Sequence, residues 1–310
     1  MREEVGTLLG ALGQVCATRD LRALGLGSTE AEGLVRSGDL VRVRRGAFVS
    51  GPVWRAAPPW ERHDLRARAV LRGLAPGARV ALSDHSSLAV QGVDLHGVDE
   101  RVHLCRTDDG RSRQDAGVRV HGRVPDAFVV DLHVGPVVTI ALAVLQVAAR
   151  SGVEAGLVSA DAALRERRTT RAELEAALAC MTGWRAHAAA ARVVELASPL
   201  SESAGESRTR WVLLTLGLGI PEQQAEIADE HGLLVARVDF LFRAEKVVVE
   251  FDGMLKYDDP SVLRSEKLRE DRLRELGYEV VRLTWADLAN PALVDRRLRA
   301  AFARARARRS

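Results

Sequence analysis

The stretch VARVDFLFRAEKVVVEFDG, Val235 to Gly253, decides how the last third of this chain folds. Two apolar runs flank a polar connection, Arg243-Ala244-Glu245-Lys246, which reads as two strands meeting at a tight turn. That connection sets the register of an antiparallel hairpin, in which paired residue numbers sum to 489. Asp239 then falls opposite Glu250, and Arg237 opposite Asp252. Side chains alternate between faces, so Val238, Phe240, Phe242, Val247, Val249 and Phe251 share one face, read as core. Arg237, Asp239, Glu250 and Asp252 share the other, read as a site. Opposed β-carbons lie ~4.5–5.5 Å apart, and two like charges there destabilise a sheet. A raised carboxyl pKa relieves the repulsion; so does a hard divalent cation, which also generates an activated water. The alternative on spacing alone is a surface hairpin whose acids face water, with Arg237 and Asp252 as an ordinary cross-strand ion pair.

Outward from the hairpin, the pattern predicts a helix near Glu206–Leu216, a strand near Gln224–Asp229, a charged helix at Arg264–Leu276 stopped by Gly277, and a strand over Tyr278–Leu283. The segments GESRTRWVLLTLGLGIPEQQAEI, RVDF, VVVEFDGMLKY and EKLREDRLRELGYEVVRLTW resemble the branch of the PD-(D/E)xK superfamily related to very-short-patch-repair endonucleases, over about Leu196 to Phe302. The resemblance implies a restriction-endonuclease-like α/β fold over 198–310. It also implies Mg²⁺- or Mn²⁺-dependent hydrolysis of DNA phosphodiesters, with Glu206, Asp239 and Glu250 as metal ligands. The E-x-K motif of that superfamily is here Glu250-Phe251-Asp252, so Asp252 stands where a catalytic lysine is expected. The substitutes in reach are Lys256, in the loop leaving the strand, and Lys267, on the following helix in line with Asp271 and Arg274. For Lys267 and Asp271 the alternative is a solvent-exposed ion pair. Ser203 to Glu206 also fits the S-x-x-E pattern of a helix start, so Glu206 is a cap, a ligand or both. Gln224 reads either as a residue orienting a ligand or as a polar edge residue.

The first segment, 1–52, reads as three short helices and a two-stranded hairpin around Arg44-Arg45-Gly46. Thr18 is placed to cap the second helix, and Ser28 or Thr29, with Glu32 following, the third. This order is that of a winged helix-turn-helix, and the helix 28–37 with the string GDLVRVRRGAFVSG resembles the N-terminus of abortive-infection (AbiEi-type) antitoxins of type IV toxin–antitoxin systems. The resemblance places Thr29 and Arg36, with Glu30 and Glu32 beside them, in a DNA groove, and Arg42, Arg44 and Arg45 on phosphates. The competing use of such a module is protein contact or packing.

Between them, 53–197 reads as a mixed α+β domain: strands at Arg79–Leu82, Arg101–Leu104 and Val118–Val120, helices at Glu61–Gly73, Ser86–Gln91 and Thr139–Ala149, then an alanine-rich helical stretch from about Ala155 to Leu196. The eight histidines are scattered without metal spacing; His85 reads as structural, and none receives a role. Three distant cysteines suggest reduced core thiols.

With 310 residues, 47% hydrophobic and 28% charged, the chain has room for two or three soluble domains. It lacks an apolar run of the ~18 residues a membrane span needs, and the reading is a cytoplasmic α/β protein without membrane partners. Net charge is only +3, but Arg296 to Ser310 holds seven arginines and no acid, either a phosphate track or a solvated helix end. The leading expectation is a DNA-acting protein with a nuclease-like domain. The alternative is a non-catalytic transcriptional regulator of antitoxin type, with a toxin or other protein as partner and a homodimer as its state.

Overall fold

The computed structural model describes residues 3–115, 117–184, 186–253 and 260–308, and Lys256 lies outside them. The architecture is mixed α/β with three sheets. It divides into two compact units, Met1–Ala197 and Ser198–Ser310.

The first unit opens with α1 (Glu3–Ala11), β1 (Val15–Ala17), α2 (Thr18–Ala23), α3 (Ser28–Arg36), β2 (Leu40–Arg44) and β3 (Ala47–Ser50). The strands form an antiparallel sheet in the order β1-β3-β2. The two helix starts use acids rather than hydroxyls. The Asp20 carboxylate accepts from Ala17 N–H (2.7 Å), and that of Glu30 from Gly27 N–H (3.0 Å), so the expected Thr18 and Ser28 or Thr29 caps are not those used. Next come α4 (Gly51–Ala56), α5 (Pro59–Gly73), β4 (Val80–Leu82), α6 (Asp84–Val90), β5 (Val102–Arg106), β6 (Arg113–Asp115), β7 (Val118–Arg123), β8 (Val129–Leu132) and β9 (Gly135–Val138). Helices α7 (Ile140–Ser151), α8 (Val153–Arg165), α9 (Arg171–Cys180) and α10 (His187–Leu196) complete the unit. The six strands β4–β9 make one mixed sheet, ordered β6-β7-β5-β4-β9-β8. Helix α5 joins the two layers: Leu65 and Ala69 pack on Val15, Ala47 and Val49 of the small sheet, while Ala67, Val70 and Leu71 pack on Leu82, Leu104 and Val120 of the large one. The segments 1–52 and 53–197 therefore share a core helix. Cys16 and Cys105 are buried free thiols, pushed up to about 12 by that burial, and Cys180 is half-buried.

The second unit contains α11 (Ala204–Thr215), β10 (Glu222–Ala228), β11 (Leu234–Phe242), β12 (Val247–Phe251), α12 (Pro260–Glu275), β13 (Glu279–Leu283), α13 (Trp285–Leu288) and α14 (Pro291–Ala307). Its sheet runs β10-β11-β12-β13, antiparallel except for the parallel β12–β13 pair. The β11–β12 ladder pairs Phe240 with Val249, Leu241 with Val248 and Phe242 with Val247, the register that the four-residue connection sets. One expectation needs correction: the second face is not a bare site. Leu241 and Val248 are buried there with Leu273 of α12, because the long helix covers that face, and Val238, read on the first face with Phe240, belongs to this cluster instead; Phe240, Phe242, Val247 and Val249 pack beneath α11 and α14.

The arginine-rich tail is α14, whose Val294, Leu298, Ala301 and Ala305 are core. Arg304 and Arg308 each reach the buried Glu279 at 2.8 Å, Arg297 reaches Asp287 at 3.0 Å, and Arg299 pairs with Asp295 at 2.9 Å. Four of its arginines thus serve the unit itself. Among the described residues, no helix is long and apolar enough to cross a membrane.

Candidate functional site

Glu206, Asp239 and Glu250 come from α11, the middle of β11 and the penultimate position of β12, and both glutamates lie close enough to Asp239 to act on its carboxyl. Glu206 sits in the first turn of α11, nearly buried. Its backbone N–H donates to the Ser203 hydroxyl (3.1 Å), which donates back to Oε1 (2.9 Å). Oε2 accepts from Glu202 N–H (2.8 Å) and from Gln224 Nε2 (3.0 Å). Gln224 lies in β10 with φ +49°, a left-handed backbone uncommon for any residue but glycine, and such strain gathers at functional sites. Gly205 lets α11 approach: a β-carbon there would stand 1.9 Å from the Phe251 ring, which itself packs edge-on against Trp285.

The ladder stops at Phe240, one residue short of Asp239, and the Asp239 carboxylate itself accepts from Phe251 N–H (2.8 Å). Burial pushes the Asp239 carboxyl up to about 6, against the pull of that hydrogen bond and with help from the charges of Glu206, Glu250 and Glu202. Glu250 is held at both oxygens, by Arg269 Nη2 (2.9 Å) from α12 and by Arg282 Nε (3.5 Å) from its parallel neighbour β13. Arg282 also binds Glu270 at 2.8 Å. Arg237 pairs with Glu202 of the loop before α11.

Of the sequence-read basic residues, Lys256 lies outside the described residues and Lys267 is exposed on α12. Arg269, two positions on and about 200° round the helix from Lys267 at ~100° per residue, is the one turned to Glu250. The ion pair of Asp271 is with Arg274 (3.8 Å). Asp252 extends the parallel pairing through its N–H, bound to Leu283 O at 2.8 Å. In the first unit, Thr29, Arg36, Arg42 and Arg45 are exposed. Arg44 is tied to Asp115 of β6 at 2.9 Å, and Arg42 lies 3.9 Å from Glu32 and over the Phe48 ring.

A second cluster was not legible as a site. His103 and His121 point to the face of the large sheet opposite Leu104 and Val120, and Asp84 opens α6 beside them. His103 Nδ1 and His121 Nε2 are 2.9 Å apart, and His121 Nε2 is 3.6 Å from Asp84 Oδ2. Asp84 is fully buried at φ +50°, bonded by the Ser83 hydroxyl (2.9 Å) and paired with Arg150 of α7. Burial alone would raise its carboxyl, but Arg150 and the two histidines hold it below the ordinary range. Around it, Gln146 Oε1 accepts from Asp84 N–H, and Ser86 Oγ accepts from His103 N–H and meets His63 Nε2 at 3.0 Å. Asp84, His103 and His121 bring their ligand atoms within 4.8 Å of one another and can hold a metal ion; Glu206, Asp239 and Glu250 do not close to that spacing. Residues 84, 103 and 121 belong to three elements, so no local spacing announces them, and a strand alternating valine with histidine looks half-exposed when both its faces are covered.

No family model matches the chain. It is similar to two proteins of Mycobacterium tuberculosis, Uncharacterized protein MT2308 of strain CDC 1551 / Oshkosh and Uncharacterized protein Rv2248 of strain ATCC 25618 / H37Rv. Each is 29% identical over 255 residues, 82% of this chain and 89% of the relative.

Proposed function

We propose that the protein is a DNA-binding, metal-dependent endonuclease whose phosphodiester-cleaving site is built on Glu206, Asp239 and Glu250. The observation that carries this reading is the Asp239 carboxyl, driven up to about 6 by burial and by three neighbouring glutamates. A fold maintains such a partly compensated cluster of acids at a cost in stability, and a cation relieves it. The donors are all carboxylate oxygens from three adjacent elements, which fits Mg²⁺ or Mn²⁺. When bound, the ion supplies an activated water and neutralises charge on the phosphate. The chain's own groups do the positioning. Ser203, Gln224 and Glu202 N–H fix the Glu206 carboxylate, Phe251 N–H fixes that of Asp239, and Arg269 fixes Glu250 while lending the positive charge that the E-x-K lysine gives elsewhere. Arg36, Arg42 and Arg45, exposed on α3 and the wing, are suited to phosphates, and Thr29 to a groove edge.

One observation favours a second reading. With Asp252 at the lysine position and both Glu250 oxygens held by arginines, the fold also suits a non-catalytic DNA-binding regulator of antitoxin type. Plasmid, linear and single-stranded DNA incubated in Mg²⁺, Mn²⁺ or EDTA with wild type, Asp239→Asn and Glu250→Gln separates the two. The nuclease reading expects cleavage with either metal that is lost in EDTA and in both variants. Cleavage surviving excess EDTA sinks the metal mechanism, and no cleavage of any substrate leaves the regulator.

A further inference from the structure

We propose that Asp84, His103 and His121 form a second metal site, for Zn²⁺ or a similar borderline divalent ion, with its open coordination position in a pocket that takes a phosphate-bearing ligand. The tautomers point to it. His103 Nε2 lies 3.0 Å from the Asp99 carboxylate, which has only acceptors, so Nε2 carries the ring proton and Nδ1 presents its lone pair to His121. His121 then donates its Nε2–H to that lone pair, and an ion seated between the two nitrogens displaces this hydrogen bond as the proton moves to His121 Nδ1, so that the ring stays neutral. A tetrahedral ion with bonds of ~2.0–2.1 Å spaces its ligand atoms ~3.3 Å apart. The 2.9 Å and 3.6 Å separations here bracket that value. Asp99 is then the outer carboxylate that orients a ligating imidazole, an arrangement metal-binding histidines commonly have. The left-handed backbone of Asp84, φ +50°, holds a fully buried carboxylate in place where an ordinary α6 start would not.

The surroundings name the ligand. His121 and Arg150 are part of the wall of an open pocket of about 550 Å³, which Arg113, Arg119, Arg123 and Trp184 also line. Of the four guanidinium groups lining it, Arg150 is paired with Asp84, Arg123 with the exposed Asp109 and Asp126, and Arg113 lies near Asp115. Arg119, and Arg123 by exchanging its exposed partners, are therefore the ones to offer an anion the forked contacts that suit phosphate. Trp184 adds a flat apolar surface for whatever carries the phosphate.

The test uses the full chain carrying Asp239→Asn and Glu250→Gln, so that the acidic cluster of the other unit does not contribute. After chelator stripping, Zn²⁺ is titrated calorimetrically and Co²⁺ by its visible absorption. The site expects one equivalent bound with a four-coordinate Co²⁺ spectrum. His121→Ala lowers affinity by ~100-fold or more, and Asp99→Asn, a substitution at a partly exposed residue that leaves the core intact, by ~10–100-fold. Inorganic phosphate shifts the Co²⁺ spectrum of the parent, and not that of a chain with Arg119→Ala and Arg123→Ala. Absence of stoichiometric binding, or affinity unchanged in both His121→Ala and Asp99→Asn, overturns the metal site. A Co²⁺ spectrum indifferent to phosphate overturns the ligand assignment.

Discussion

Asp239→Asn is expected to stabilise the metal-free protein at neutral and alkaline pH while removing its response to Mg²⁺. The Asp239 carboxyl is raised from an ordinary 3.8 to about 6. An acid raised in the folded state ionises first in the unfolded chain. The penalty is therefore absent below pH ~4, grows between ~4 and ~6, and stays constant above. A shift of two units is worth ~3 kcal/mol at ~1.4 kcal/mol per unit, and partial solvent contact of the side chain reduces this to ~1–2 kcal/mol. Asparagine still accepts the Phe251 N–H through its amide oxygen, so the substitution removes charge and little else. The measurement is urea unfolding of the full chain in EDTA at pH 4 and pH 8, followed by amide protection of β11 and β12 in pulse-labelling hydrogen exchange, which reports the C-terminal unit alone. The variant should match wild type at pH 4 and exceed it by ~1–2 kcal/mol at pH 8. Added Mg²⁺ should then stabilise wild type and leave the variant unmoved. A variant no more stable than wild type at pH 8, or one that gains equally from Mg²⁺, refutes the reasoning that the acids repel one another and share a cation.

Arg45→Ala should reduce the salt dependence of DNA binding by ~0.9 in slope, and Arg44→Ala by less, because Arg44 is already held by Asp115. Anisotropy titrations over a salt series check this, and equal effects would mean the Arg44–Asp115 pair opens on DNA. Gly205→Ala should destabilise the second unit by ~1–3 kcal/mol in urea unfolding, since its β-carbon meets the Phe251 ring; a silent substitution would show that α11 has room to retreat. Replacing Arg304 and Arg308 by Ala leaves Glu279 buried without its partners and should cost ~1–2 kcal/mol in thermal unfolding, recovered by adding Glu279→Gln; no recovery would place the loss in helix packing instead. Arg269→Gln should slow single-turnover cleavage by ~10²-fold while Lys267→Ala stays near wild type, and the reverse order would return the charge to Lys267.

What could be read from the chain alone was what local geometry fixes. A four-residue connection sets a hairpin register, so the pairing of Phe240 with Val249 follows from residue numbers. The S-x-x-E start of α11 is equally local, and Ser203 does cap it. The cover over the second sheet face was not readable, because α12 offers Leu273, with Leu276 just past its end, among charges that make it look solvated. Arg269 was overlooked for the same reason: in a helix of alternating charges, only the packing angle says which one turns inward. Strands β8 and β9 escaped because they are four residues each and Gly135-Pro136 reads as a turn, although Pro136 pairs with Asp131. The Asp84–His103–His121 cluster needs the parallel β5–β7 pairing, which brings Cys105 beside His121 and which no sequence interval encodes.

The two clusters also differ in a way that bears on what each would hold. In the acidic cluster of the second unit the donors are oxygen alone, and their charge is only partly offset: Arg269 and Arg282 reach Glu250, whereas Asp239 accepts from a backbone N–H and has three acidic neighbours. Such a site gains most from a hard, strongly charged ion that replaces missing neutralisation. In the first unit one carboxylate is already matched by Arg150, and the remaining donors are imidazole nitrogens. There the gain must come from bond strength with nitrogen rather than from charge balance, which favours the later first-row divalent ions over Mg²⁺. The charge left over on each site therefore selects the metal: Mg²⁺ should load the acidic cluster and leave the imidazole one empty, whereas Zn²⁺ enters both.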